Sequence, residues 1–200
     1  MERKEYSAGM VKLSFWFLEF RKVIELLNSG KTIDEIKDMN IKENIFAAPT
    51  MARAVQIFNT VSRRVMSLDE SFYRLFEKSD TATQKIIAII AVMNVDSLFF
   101  DFVYEVYREK LIIGNDTLSD RDIVIFFMDK QLQSEKVAGW TDYTLKRLRI
   151  CYKTMLMEAG IIDRATGDRK ILKPIIDAAV EKCLKDHGME IFIHALTGVR

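Results

Sequence analysis

The stretch from Ile86 to Val95 reads Ile-Ile-Ala-Ile-Ile-Ala-Val-Met-Asn-Val and restricts the fold more than any other part of the chain. As a helix it is apolar around its whole circumference except at Asn94, so it must be covered on every side. The run ends at Asp96, after about half of the ~20 residues that a membrane-spanning helix needs, which favours a buried core helix. Ser79 or Asp80 can cap its start by accepting from the free first-turn N–H groups. Asp96 then offers a cap for a second helix, Ser97 to about Ile112, closed by Gly114-Asn115. There Leu98, Phe99, Phe102, Val103 and Val106 form an apolar stripe, while Asp101, Glu105, Arg108 and Glu109 form a polar one. This helical hairpin is expected at the centre of an all-α, multi-helix bundle, with both ends of the chain packed on it.

Long helices with short connections also suit the composition, since 49% of the residues are hydrophobic and only two are proline. Alternation with period two is scarce, so an all-β or α/β fold is disfavoured. A net charge of +1 does not announce a polyanion partner, and any nucleic-acid surface has to come from local segregation of charge. Cys151 and Cys183 are far apart, which fits a reducing compartment and excludes a disulfide framework. The opening Met1-Glu2-Arg3-Lys4-Glu5 lacks the apolar core of a signal peptide. Together these points predict a cytoplasmic protein that does not enter a membrane.

Before the central hairpin, Ser14 is positioned to cap a helix from Phe15 to about Asn28 with Phe17, Phe20, Ile24 and Leu27 on its apolar face. Thr32 with Glu35 is a capping-box signature for a short helix to about Met39, with a linker from Asn40 to Thr50. A helix from Thr50 to about Met66 places Met51, Ala54, Val55, Phe58, Val61 and Val65 on one face. Arg53, Gln56, Thr60, Arg63 and Arg64 fall on the other. Residues 1–78 form an expected N-terminal lobe, and 79–200 hold the hairpin and a C-terminal lobe, possible parts of one continuous domain.

The last third carries most of the functional signal. After Ser119 a helix bears Ile123, Phe126 and Phe127, and Thr141 caps another that runs to Ala159-Gly160. Lys146, Arg149 and Lys153 sit together on it, with Arg147 further round. Ile161-Ile162 and Ile171-Leu172 then flank a turn containing Arg164, Arg169 and Lys170, a small β-hairpin near 161–172 followed by Lys173. A helix is expected from Pro174, and a last one from Met189 to Leu196. A capped basic helix followed by a basic hairpin has the order of a winged helix, in which the helix enters the major groove and the hairpin reaches backbone or minor groove. Thr141 to Lys173 carries a local excess of four positive charges. The same pattern also describes an ordinary solvated helix and loop, so both readings stay open. The Arg53, Arg63 and Arg64 face is a rival, since guanidinium and amide groups serve phosphates and base edges alike.

Enzyme signatures are absent: there is no phosphate loop, dinucleotide-binding glycine motif or nucleophile elbow. No catalytic residue, cofactor or metal is expected. Cys183 and His187, four apart on one helix, are at most half of a metal site. The acidic row Asp101, Glu105 and Glu109 could meet a basic partner, but such a row is more often simply a solvated face.

An ordered set of segments resembles the BrxA family, the small helical component of BREX phage-exclusion systems. The segments are Tyr6-Ser-Ala-Gly9, Glu19-Phe-Arg21-Lys22-Val23, Glu43-Asn44-Ile45-Phe46, Arg108-Glu109-Lys110-Leu111, Trp140-Thr141 and Glu158-Ala159-Gly160. The family often has a small residue after the first motif, where this chain has Met10-Val11-Lys12-Leu13. The resemblance implies a NusB-like helical protein that binds double-stranded DNA without catalysis. It would act beside the defence system's methyltransferase, ATPase and phosphatase-like partners. The alternatives are an RNA-binding protein, by analogy with NusB, or a protein-only adaptor. The resemblance fixes no binding residue; the candidates come from the charged faces alone.

Overall fold

The computed structural model describes residues 5–199. Most of the segment that argued against a signal peptide, residues 1–4, therefore lies outside the described residues. A 3-10 turn at Gly9–Lys12 precedes α1 (Phe17–Asn28), α2 (Ile33–Glu43), α3 (Met51–Val65), α4 (Glu70–Lys78) and α5 (Thr81–Val95). Then come α6 (Ser97–Phe102), a π-helical turn at Val103–Tyr107, α7 (Arg108–Ile112) and a short strand β1 (Thr117–Leu118). The chain continues through α8 (Asp120–Gln133), α9 (Glu135–Ala138), α10 (Asp142–Glu158), β2 (Arg169–Lys170), α11 (Ala178–Asp186) and α12 (Glu190–Thr197). The fold is all-α with one very small sheet.

α5 is the centre that its sequence requires. Ile87, Ile89, Ile90, Ala91 and Met93 are each 0% exposed, and burying each large side chain contributes roughly 1.5–3 kcal/mol. Asn94, the polar exception, donates from Nδ2 to the Ser67 carbonyl at 2.6 Å. Asp80 caps the helix by accepting from the Thr83 amide at 2.8 Å, and Asp96 caps α6 by accepting from the Phe99 amide at 2.9 Å. The chain turns by 116° between α5 and the rod formed by α6, the π turn and α7. Among the described residues no single helix is long and apolar enough to cross a membrane. One core cluster runs from Met10 to Leu196, so both halves of the chain share it. Gly198 is fixed by a close approach: with φ at +71°, an added Cβ would lie 2.7 Å from the Leu111 Cβ.

Several boundaries differ from those that local pattern suggests. Ser14 does not cap α1; Trp16 occupies the N-cap position in a left-handed conformation, φ 51°, with no side-chain cap. The helix start is held instead by Arg64, which donates from Nη1 to the Ser14 and Phe15 carbonyls at 2.9 and 2.8 Å. α2 runs past Met39 to Glu43, because Asn40 is an interior residue that donates to the Ala54 carbonyl at 3.0 Å. α11 begins at Ala178, not at Pro174, and Asp177 supplies its cap. Asp101 is not part of a solvated acidic face: it is 1% exposed and sits between the Tyr6 hydroxyl at 2.5 Å and Lys130 Nζ at 3.4 Å. Burial alone would lower the Lys130 pKa, but Glu105 at 2.6 Å and the charge of Asp101 outweigh it and hold the ammonium above its ordinary range.

The hairpin exists but is extended by a third segment. Ile162 and Ile171 form a single bridge between its arms, while the second arm, β2, pairs antiparallel with β1. Thr117 faces Lys170 and Leu118 faces Arg169. The order is therefore helix, strand, helix, short helix, long helix, hairpin, with the early strand laid against the hairpin's far arm.

Candidate nucleic-acid interface

α10 is built to be stable and half exposed. Thr141 accepts from the Thr144 amide at 3.2 Å, and Gly160 with φ +77° lets the chain leave while the Ile161 amide donates back to the Leu156 carbonyl at 3.0 Å. Leu145, Leu148, Tyr152, Met155 and Leu156 are buried. The structure separates the four cations that the sequence places on this helix. Lys146 and Arg147 are exposed, and Arg149 is half-buried. Lys153 is drawn inward to an ion pair with Asp120 at 2.9 Å. Lys146, Arg149 and Lys153 therefore do not form one free basic stripe.

Burial also divides the hairpin cations. Arg164, Lys170 and Lys173 are exposed, with Arg164 paired to Asp163 at 2.7 Å. Arg169 is 0% exposed and does not project from the hairpin. Its guanidinium donates to Asp120 Oδ1 at 2.6 Å, the Leu118 carbonyl at 3.1 Å and the Ala165 carbonyl at 3.2 Å, tying the hairpin to β1 and α8. On α3, Arg63 is exposed and Arg53 half-buried, whereas Arg64 is 2% exposed and points inward. Burial pushes the Arg64 guanidinium down to about 10. Arg64 and Arg169 are structural residues, and the candidate surface loses both.

Asp120 serves Lys153 and Arg169 together, and their hydrogen bonds hold its carboxyl below the ordinary range. A depressed folded-state pKa contributes stability above the unfolded value that is lost as pH falls through the folded value. Asp120→Asn is expected to cost about 1–2 kcal/mol near neutral pH, allowing for the solvent exposure of the carboxylate. The gap from wild type should close well below the ordinary Asp pKa of about 3.9. Thermal melts of both proteins at neutral and acid pH check this; an equal gap at both would contradict it.

One cation from each of the two basic helices, Arg53 of α3 and Arg147 of α10, borders the same cavity. The segment from Gly9 to Trp16 runs between them, with the Cys151 thiol donating to the Met10 and Leu13 carbonyls at 3.2 and 3.3 Å. A cavity of about 410 Å³ lies beside this strap, lined by Lys12, Arg53, Gln56, Tyr143 and Arg147 together with strap residues. Arg53 stacks over the Trp16 ring at 4.8 Å and donates to Gln56 Oε1 at 2.7 Å. Arg147 reaches the Val11 carbonyl at 3.4 Å. The sequence reading missed Lys12 and Tyr143, since neither belongs to a patterned basic stripe; only the strap's path brings them here.

Cys183 and His187 are each engaged within the protein, the Cys183 sulfur lying 3.3 Å from the Ser71 hydroxyl. His187 Nδ1 lies 2.8 Å from the Cys183 carbonyl and Nε2 lies 3.2 Å from Asp69. Among the described residues no group of three His, Cys, Asp or Glu side chains is placed to hold a metal ion.

Fold and surface thus define a helical protein with exposed cations on α3, on α10 and on a small hairpin. The family model for BrxA matches residues 4–188. The BREX protein BrxA of Bacillus cereus (strain H3081.97) is 36% identical over 198 residues, covering 99% of each chain. The crystal structure of an uncharacterized protein from Magnetospirillum magneticum superposes with a TM-score of 0.83 at 18% identity, covering 98% of this chain and 100% of that one. That likeness extends to the fold alone. The chain belongs to the BrxA family, a component of BREX phage-exclusion systems.

Proposed function

We propose that this chain is the non-enzymatic, double-stranded-DNA-binding component of its BREX system and works in the cytoplasm beside the methyltransferase, ATPase and phosphatase-like partners. The observation that carries the reading is the order of the C-terminal half. A strand between two helices pairs with the far arm of a hairpin that directly follows the long helix α10. That is the order of a winged helix, and Lys146, Arg147, Arg164, Lys170 and Lys173 are its exposed cations. Such cations suit phosphates, which position a protein on a duplex without reading its sequence.

A second reading has its own support. Ile125, Met128 and Leu132 are 44%, 57% and 88% exposed at i, i+3 and i+7 on α8, as contact with another BREX component would require. Competition for a labelled duplex at about 0.1 M salt separates the readings. Unlabelled duplex is expected to displace the label at concentrations where RNA of equal length does not. Preferential displacement by RNA would support the NusB-like alternative, and no binding to either would support the adaptor. The pure protein is expected to release no phosphate from ATP and to leave DNA uncut. Metal-dependent cleavage abolished by a point substitution would overturn this.

A further inference from the structure

We propose that the cavity between α3, α10 and the 11–14 strap is a phosphate-binding site, and that it seats one backbone phosphate of the bound nucleic acid. The inference rests on the nucleic-acid reading above and adds a location to it. Several other cations sit against acids: Lys153 against Asp120, Lys110 against Asp122, Lys182 against Asp186. Here Lys12, Arg53 and Arg147 converge on one cavity whose lining holds no carboxylate. Like charges brought together repel, and an anion between them reverses the sign of that term.

Arg53 is held in place before any anion arrives. Trp16, fixed in its left-handed conformation, gives the Arg53 guanidinium a flat surface to stack on, and Gln56 orients it from the same helix. Arg53 and Arg147 reach the Lys12 and Val11 carbonyls at only 3.4 Å, long for a hydrogen bond. Charge-assisted bonds from guanidinium to phosphate are shorter and about twice as strong, so a phosphate displaces those contacts. Tyr143, 72% exposed at the rim, adds a hydroxyl that can donate to the same group. A phosphate seated here bridges α3 and α10, which explains why the two basic helices flank one cavity.

The test pairs two probes on the full chain, with Lys12→Ala/Arg147→Ala as the variant, since both side chains are exposed. The first probe is inorganic phosphate, followed by the Trp16 indole resonance in a labelled sample. A saturable shift is expected in wild type and its loss in the variant. The second is a labelled duplex titrated across salt, where the variant's dependence should fall by up to about one unit of log affinity per log salt, the value for a single phosphate contact. Lys182→Ala/Lys185→Ala, which removes ion-paired lysines of α11, should match wild type in both. A shift with phosphate but an unchanged duplex slope would overturn the backbone assignment and leave a free-oxyanion site. No shift, with wild-type duplex binding by the variant, would overturn the cavity while the DNA reading stands. A phosphate shift in a protein that binds no duplex would remove the DNA reading and, with it, the backbone assignment.

Discussion

Replacing Arg64 by methionine is expected to remove about 3–5 kcal/mol of folding stability, about the sum for two buried charge-assisted hydrogen bonds. Arg64 is buried and holds the Ser14 and Phe15 carbonyls, which lie ahead of α1 where no side chain caps the helix. Methionine fills much of the volume but donates nothing, so both carbonyls lose a charged donor worth roughly 1.5–3 kcal/mol each. The strap that these carbonyls anchor also covers Cys151, whose thiol is 9% exposed and is pushed up to about 12 by burial. Two measurements follow. The denaturation midpoint should fall in Arg64→Met. In a Cys183→Ser background, Cys151 should react with a thiol reagent many times faster than in the parent, because the strap lifts. Unchanged midpoint and unchanged thiol reactivity together would show that Arg64 does not anchor the strap. Loss of DNA binding in this variant would follow from the strap and would not mark Arg64 as a contact.

The helical content was legible in the sequence because the strongest signals are local. The apolar run of α5, the Thr32–Glu35 capping box and the Asp80, Asp96 and Thr141 caps each state their own structure within a few residues. What was not legible is which face of an amphipathic helix the rest of the chain covers. Arg64 falls on the polar side of α3 by spacing, but the strap crosses that side, so its guanidinium serves two backbone carbonyls far away in sequence. Asp101 reads as one step of an acidic row until Lys130 and Tyr6 close over it. Arg169 looks like a hairpin-tip cation until β1 pairs with its strand and delivers Asp120. In all three a long-range partner decides, and a charged residue at a helix-polar position carries no local mark of that partner. The candidate interface suffered the same way: the charge faces were visible, while the placing of Arg53 and Arg147 on one cavity beside the Gly9–Trp16 strap depends on the path of an irregular segment.

The exposed hairpin cations give the last and sharpest expectation for function. Arg164→Ala/Lys170→Ala/Lys173→Ala removes three solvent-facing charges and spares Arg169, whose bonds to Asp120 and the Leu118 carbonyl keep the hairpin in place. Each phosphate contact releases condensed counterion, and log affinity falls by about 0.9 per contact for each unit of log salt. If all three touch phosphates, the slope of the triple variant should be shallower by up to about 2.7 units. Binding near 0.1 M salt should weaken by roughly tenfold or more, and uniformly across duplex sequences, because these contacts carry no base information. Lys146→Ala on α10 is the companion: a groove-facing helix residue should change affinity unequally between sequences. Duplex titrations at about 50 to 200 mM salt, with several sequences, read both effects. A triple variant that binds as wild type at every salt would remove the hairpin from the interface. The strap cavity between α3 and α10 would then be left as the surface to which the DNA reading must be confined.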